Sequence, residues 1–327
     1  MRMEAIPGAV SLAEERIRPY IVETPLQFST YFSARSGANV YFKLESQQVT
    51  SSFKARGAMS KLLSLTKEQL GRGVVAASTG NHGTAVAYGL SRLGAKGIVF
   101  MPENASEAKV EAIRALGAEV RFHSNDGGQS EKFARQYALD QGQVFISPYN
   151  DNEVLAGQGT MGLELGRQLD HIDFLYVTVG GGGLIAGTAG FLKQSPPQVN
   201  AKMKAIGCHP SNDAAMYASV KAGQIVDIEG LPTISDGSAG NMEAGAITFQ
   251  LCRELVDDWV LVSEEEIFAA MREYLGHEHQ LLEGSAGVAI AAFLRRHAEA
   301  PETVAGKNVV IVICGARISL KTLKSIL

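Results

Sequence analysis

Four short runs of β-branched and apolar residues, "VVAAS", "KGIVFMP", "EVRFH" and "VFIS", lie between positions 73 and 149. They are separated by "TAVAYGLSRLGA", "SEAKVEAIRALGA" and "GGQSEKFARQYALDQG", whose apolar residues recur at helical spacing. Strands joined through helices pair in parallel, and continuously apolar strands need cover on both faces. One compact α/β domain is therefore expected over 73–149. A second series follows, with "DFLYVTV", "KMKAIGC", "DWVLVS" and "KNVVIVICG" as strands and "GLIAGTAGFLKQ" and "GSAGVAIAAFLRR" as helices. The expected fold class is α/β, with two parallel-sheet domains: a small one over 73–149 and a large one from 1–72 and 150–327. The segment "LPTISDGSAGNMEAG", rich in glycine and serine without apolar periodicity, reads as an ordered loop near the cleft between them.

The chain has 327 residues, 46% hydrophobic and 20% charged, with a formal net charge of -4. Such a balance offers no electrostatic footprint for nucleic acid or an anionic membrane, so a small-molecule partner is expected. The longest apolar stretch is interrupted by glycines and by Asp173, and acids break the N-terminal segment "MRMEAIPGAVSLAEER". The expected location is the cytoplasm. Three cysteines, Cys208, Cys252 and Cys314, are too widely spaced for a local metal clip, and their odd number argues against a secreted disulfide framework.

Four motifs carry chemistry. In "SSFKARG", Lys54 stands where a helix begins, although a cation in the first turn opposes the helix dipole; a solvated surface lysine is the ordinary alternative. In "VTVGGGGLIAG", the glycines Gly180 to Gly183 sit between an apolar strand and an apolar helix. Backbone amides free of side chains there suit a socket for a phosphate dianion, with a tight strand-to-helix turn as the alternative. Gly181, Gly183 and Ala186 also satisfy the dinucleotide pattern G-x-G-x-x-A, but no acid stands at the tip of the following strand to hold a ribose. A lone phosphate on a smaller cofactor fits better. The loop "STGNHG" supplies hydroxyls at Ser78 and Thr79, the Asn81 amide and a helix start suited to a carboxylate, with simple N-capping as the alternative. Cys314 ends the last apolar strand, where a buried thiol is more often core filler.

In this order, "SSFKARGA", "STGNHG", "AGQGTMGLEL" leading into "GGGGLIAG", and "CGA" resemble the pyridoxal-phosphate enzymes of fold type II. Within this tryptophan synthase β-like class, the likeness is to the serine/threonine dehydratase and serine racemase group, and it covers nearly the whole chain. It implies a cofactor held in the cleft between two α/β domains, with Lys54 as the Schiff-base lysine and Phe53 beside it. It further implies that Gly180, Gly181, Gly182, Gly183 and Leu184 cup the phosphate and that Asn81 bonds the ring hydroxyl. Ser78, Thr79, Asn81 and His82 are implied around the substrate carboxylate. Cys314 is implied opposite the pyridine nitrogen, where a neutral thiol makes a poorer electron sink and favours prompt loss of a β-substituent. The implied reaction turns an L-β-hydroxy amino acid into a 2-oxo acid and ammonia; racemisation of serine is the alternative, and a non-catalytic cofactor- or nucleotide-binding protein a more remote one. A homodimer or homotetramer is also implied. With the sequence ending at Leu327, feedback by isoleucine is not expected.

Departures from that pattern bear on detail. In "CHPSNDAA", His209 replaces a glutamate and Ala215 a second acid, so no divalent metal is expected there. Thr79 stands at the position of the racemase serine. Tyr149 in "SPYNDNE" replaces a phenylalanine, and Arg317 in "CGARIS" replaces an asparagine. These changes resemble the hydroxyectoine-utilisation dehydratase and phenylserine dehydratase branch. They imply a pocket that admits a side chain bulkier than threonine's.

Overall fold

The computed structural model describes residues 1–78, 80–195 and 200–327. Among them are ten strands: β1 Leu26–Phe28, β2 Asn39–Lys43, β3 Val74–Ala77, β4 Gly97–Met101, β5 Glu119–Phe122, β6 Val144–Phe145, β7 Phe174–Thr178, β8 Lys204–Pro210, β9 Asp258–Val262 and β10 Asn308–Val312. They form a six-stranded sheet, in the order β1-β2-β10-β7-β8-β9, and a four-stranded sheet, β5-β4-β3-β6. The strand expected last in sequence thus lies near the middle of the larger sheet, beside the first apolar strand. Every pairing is parallel except that of β1 with β2, which is antiparallel with Leu26 opposite Lys43. Residues 29–38 join those two strands, fewer than the dozen or so that a parallel crossover requires, so the chain turns back on itself. The turn follows the helix Thr30–Ser36 at Gly37, whose φ of 69° closes the helix.

The central strands β3, β7, β8 and β10 are buried nearly end to end, as parallel strands covered on both faces must be. Helix Gly127–Asp140 covers one face of the smaller sheet, where Ala134 and Ala138 meet Val75 and Phe100; Val86 and Leu90 of Asn81–Leu93 pack in the core on its other side. In the larger layer, helix Asn152–Gln168 is packed tightly against helix Lys54–Ser64. A Cβ on Gly157 would lie 2.5 Å from the Arg56 carbonyl oxygen and 2.7 Å from the Gly57 Cα. Only glycine permits the two backbones to approach so closely. This contact fixes the axis of the helix that starts at Lys54. The carboxyl ends of β3, β7 and β10 lead into Ser78, Gly180 and Cys314, which line one cleft, the position where open parallel sheets bind ligands. No helix among the described residues is long and apolar enough to cross a membrane.

Candidate active site

Lys54 is placed by backbone contacts that precede it. Ser51 adopts a left-handed conformation with φ of 59°, and Ser52 forms an antiparallel bridge with Gly315. The Phe53 amide donates to the Cys314 carbonyl at 3.1 Å, and the Ala316 amide donates to that of Ser51 at 3.0 Å. The end of β10 and the start of helix Lys54–Ser64 are thus stitched together, which sets Lys54 beside Cys314. The lysine Nζ donates to the Pro148 carbonyl at 3.0 Å and stands 5.0 Å from the Phe53 ring centre. Burial lowers its pKa to about 8, against the opposing pull of Cys314, Glu131 and Glu283.

The four glycines form the turn from β7 into helix Gly183–Gln194. Gly182 occupies the N-cap with φ of 81°, and no side chain caps the helix. The first-turn amides of this twelve-residue helix are therefore left for another acceptor. Side chains are excluded from the turn by its neighbours: a Cβ on Gly181 would fall 2.3 Å from the Tyr149 ring, and one on Gly180 would lie 3.1 Å from Ser238. Tyr149 is held by its hydroxyl, which accepts the Glu243 N–H at 2.9 Å. Burial raises that phenol to about 12, so it stays neutral.

Across the cleft, Ser78 follows β3, and its hydroxyl accepts the Gly80 N–H at 3.1 Å. Asn81 opens helix Asn81–Leu93 and donates through Nδ2 to both carboxylate oxygens of Glu283, at 2.8 and 3.0 Å. Its Oδ1 is buried with no hydrogen-bond partner among the described residues. His82 bonds the Ile146 carbonyl through Nε2 at 2.8 Å, and because a carbonyl only accepts, that nitrogen carries the proton. Burial holds His82 down at about 3, aided by the Lys54 charge. It is neutral and offers no positive charge to a carboxylate. Cys314 is buried, and burial pushes its thiol well above the ordinary range, with Glu283 adding to the effect. Thr79 lies outside the described residues.

Phe53, Lys54, Ser78, Asn81, His82 and Cys314 thus border one cavity of about 980 Å³, which is also lined by Tyr149 and by Gly180 to Leu184. Glu283 belongs here too, and sequence reasoning missed it. It precedes helix Gly284–Glu299 and rests on the exit of β10, where a Cβ on Gly315 would be 2.6 Å from its Oε1. Burial raises it to about 7 despite the Asn81 bond. The one local signal was an acid directly ahead of a glycine-rich helix start.

Pyridoxal phosphate fits these residues. An uncapped glycine turn suits a phosphate, a lysine near its neutral range suits an aldehyde, and the unpartnered Asn81 Oδ1 suits a hydroxyl donor. Among the described residues, no group of three or more His, Cys, Asp or Glu is arranged to hold a metal. His209 is 1% exposed, its ring 5.5 Å from that of Trp259 and nearly parallel to it, and burial lowers it to about 3.

The chain is similar in sequence and in fold to known proteins. A threonine dehydratase of Nicotiana attenuata is 36% identical over 318 residues, covering 96% of this chain and 51% of that protein. An L-threonine ammonia-lyase of Thermotoga maritima is 37% identical over 315 residues, covering 96% and 76%. The chain therefore spans about half the length of the first relative and three quarters of the second. The processed form of threonine deaminase isoform 2 from Solanum lycopersicum superposes with a TM-score of 0.91 at 34% identity, over 99% of this chain and 92% of that one. Maize serine racemase does so at 0.89 and 30%, over 98% and 95%. The family described as pyridoxal-phosphate dependent enzyme, PALP, matches residues 17–315, and this chain is a member of it.

Proposed function

We propose that this chain is an ammonia-lyase that converts an L-β-hydroxy amino acid, threonine, serine or a bulkier analogue such as phenylserine, into a 2-oxo acid and ammonia. The observation that carries the reading is the placement of the Lys54 amine. It is poised near pH 8 in one cavity with an uncapped glycine turn, the Asn81 and Glu283 pair and the Cys314 thiol. Names of relatives at 36–37% identity support it. Residues 73–149 act as the small domain and 1–72 with 150–327 as the large one.

When bound, the cofactor withdraws electrons from the substrate α-carbon. Gly180 to Gly183 and Leu184 would hold its phosphate, and Asn81 and Phe53 would orient its ring. Ser78, Thr79, Asn81 and His82 seat the substrate carboxylate by hydrogen bonds, with His82 neutral throughout. Lys54, as a neutral amine, would take the α-proton, a task for which a pKa near the working pH is suited. Cys314 keeps its own proton, so it would offer a bound cofactor ring a neutral thiol in place of a carboxylate, which would favour β-elimination. Tyr149, packed on Gly181, bounds the side-chain pocket. The β-hydroxyl leaves as water, and the released enamine tautomerises and hydrolyses. We place the reaction in the cytoplasm, consistent with three free, buried cysteines, and in a homodimer or homotetramer.

A second reading, racemisation at the α-carbon, is favoured by the likeness to maize serine racemase. The test is to purify the coloured protein, fix the visible band by borohydride, and follow 2-oxo acid and D-amino acid from L-threonine, L-serine and L-threo-3-phenylserine. Borohydride labelling of Lys54 with oxo acid in excess is the expected result. D-amino acid in excess selects the racemase, and a protein that takes up no pyridoxal phosphate overturns both readings.

A further inference from the structure

The outer wall of the cavity holds a cation that elimination does not use. Arg317 follows Cys314 by three positions, is half-buried, and lines the same cavity. Its backbone N–H donates to Glu283 Oε2 at 3.1 Å, so its main chain is held by the carboxylate that also holds Asn81.

The other ionisable side chains of the cavity wall are accounted for. Lys54 bonds the Pro148 carbonyl, Lys109 faces Asp236 at 3.5 Å, Glu131 accepts Arg135 at 2.8 Å, and Glu283 accepts Asn81. Among the described charged side chains that line the cavity, the Arg317 guanidinium alone has neither a hydrogen bond nor an ion pair within 4 Å, its charge acting on Glu283 only from farther away. Its donors form a planar fork matched to a carboxylate. A guanidinium held half out of water in a substrate cavity is least costly when the ligand brings its counter-charge.

We propose that Arg317 binds a second carboxylate on the substrate, so that the preferred class is an L-β-hydroxy amino acid with an acidic side chain, of which L-threo-3-hydroxyaspartate is the simplest. The substrate class rests on the elimination reading; the anion subsite does not. In that reaction the Cα–H and Cβ–O bonds break and one water departs. One water is then taken up as the tautomerised enamine hydrolyses, giving a 2-oxo dicarboxylate and ammonium.

Two measurements on the holoenzyme test this. The first is the Kd of L-aspartate, which lacks the leaving hydroxyl, against that of L-alanine, by calorimetry, in wild type, Arg317→Ala and Arg317→Lys. Wild type is expected to favour aspartate, the preference to fall about 30-fold or more in Arg317→Ala, and Arg317→Lys to recover part of it. An aspartate-to-alanine ratio that is the same in wild type and Arg317→Ala overturns the subsite, whatever reaction the enzyme performs. The second is kcat/KM for L-threo-3-hydroxyaspartate against L-threonine. A wild-type preference for the diacid that Arg317→Ala loses through KM supports the substrate class, and a preference for threonine overturns it. If neither amino acid yields oxo acid while the binding ratio responds to Arg317, elimination fails and the subsite stands.

Discussion

A cation in the first turn of a helix meets the positive end of the macrodipole, and at Lys54 burial adds to that penalty. The result is a folded-state pKa near 8, where an ordinary lysine has 10.5. Below 8 the amine is protonated and cannot attack an aldehyde. The rate at which cofactor-free protein acquires its visible band on addition of pyridoxal phosphate should therefore rise with pH and level off above about 8; a continued rise toward 10.5 would place Lys54 in water. Burial shifts His82 and His209 downward as well. Burial holds both at about 3, below the ordinary 6.5, so between those values the unfolded chain binds protons that the folded chain refuses. Their contribution is complete above 6.5 and is lost as pH falls toward 3, about 2 kcal/mol for each histidine at pH 5. Urea titrations at pH 7 and pH 5 should show that loss, and His82→Gln and His209→Gln should each reduce it by about the same amount. A pH difference unchanged by either substitution would contradict the burial. Lys54, Cys314 and the glycines were legible as residues because each sits at the end of an apolar strand or start of a helix. Glu283 was not, since its proximity to Asn81 arises only when the two sheets are brought together.

Helix Lys54–Ser64 is anchored by a cluster of buried charges that no local pattern announces. Lys43, Glu45, Arg56 and Glu164 are fully buried and lie on β2, on the turn after it, and on two different helices. Arg56 donates to Glu45 through Nε at 2.7 Å and to Glu164 through Nη1 at 2.7 Å, and Lys43 reaches Glu164 at 2.6 Å. Arg18 also donates to Glu164, at 2.7 Å. Burial by itself would raise the Glu164 carboxyl, and the Arg56 and Lys43 charges overcome it and hold it at about 2. Glu164→Gln leaves two buried cations short of a counter-charge, so a loss of about 3–5 kcal/mol in denaturant unfolding is expected. The loss should be accompanied by weaker retention of pyridoxal phosphate on dilution, because the same helix begins at Lys54. An unfolding midpoint within 0.5 kcal/mol of wild type would mean that the cluster is not an anchor. At this scale the alternation of apolar runs and helical segments revealed most strands and helices. It did not reveal β1, three residues long and half-exposed, whose direction is decided by the short connection to β2. Nor did it reveal the charge cluster, because Glu45 and Glu164 are separated by more than a hundred positions and meet only through Arg56.

In the whole molecule, the loop over 231–245 is where the layers around the two sheets meet, and its contacts differ in kind. Arg135, on helix Gly127–Asp140, reaches Glu243 at 2.7 Å and lies 4.3 Å above the Phe145 ring. The Tyr149 hydroxyl accepts the Glu243 N–H at 2.9 Å, and Asp213 accepts that of Gly240 at 3.0 Å. Both members of the Arg135–Glu243 pair are partly exposed, so salt screens their attraction, whereas the bond to the neutral Tyr149 is insensitive to it. Amide hydrogen exchange separates the two. Tyr149→Phe removes the acceptor of the Glu243 N–H and is expected to speed exchange at that amide about tenfold, in low and high salt alike. Arg135→Ala is expected to speed exchange across Gly240 to Gly245 by a smaller factor, and 1 M sodium chloride should produce the same change in wild type while adding nothing in the variant. Salt that still accelerates exchange in Arg135→Ala would assign the ionic contribution elsewhere, to Lys109 and Asp236, whose 3.5 Å separation is, among the described residues, the other charged contact from the small sheet's layer to this loop.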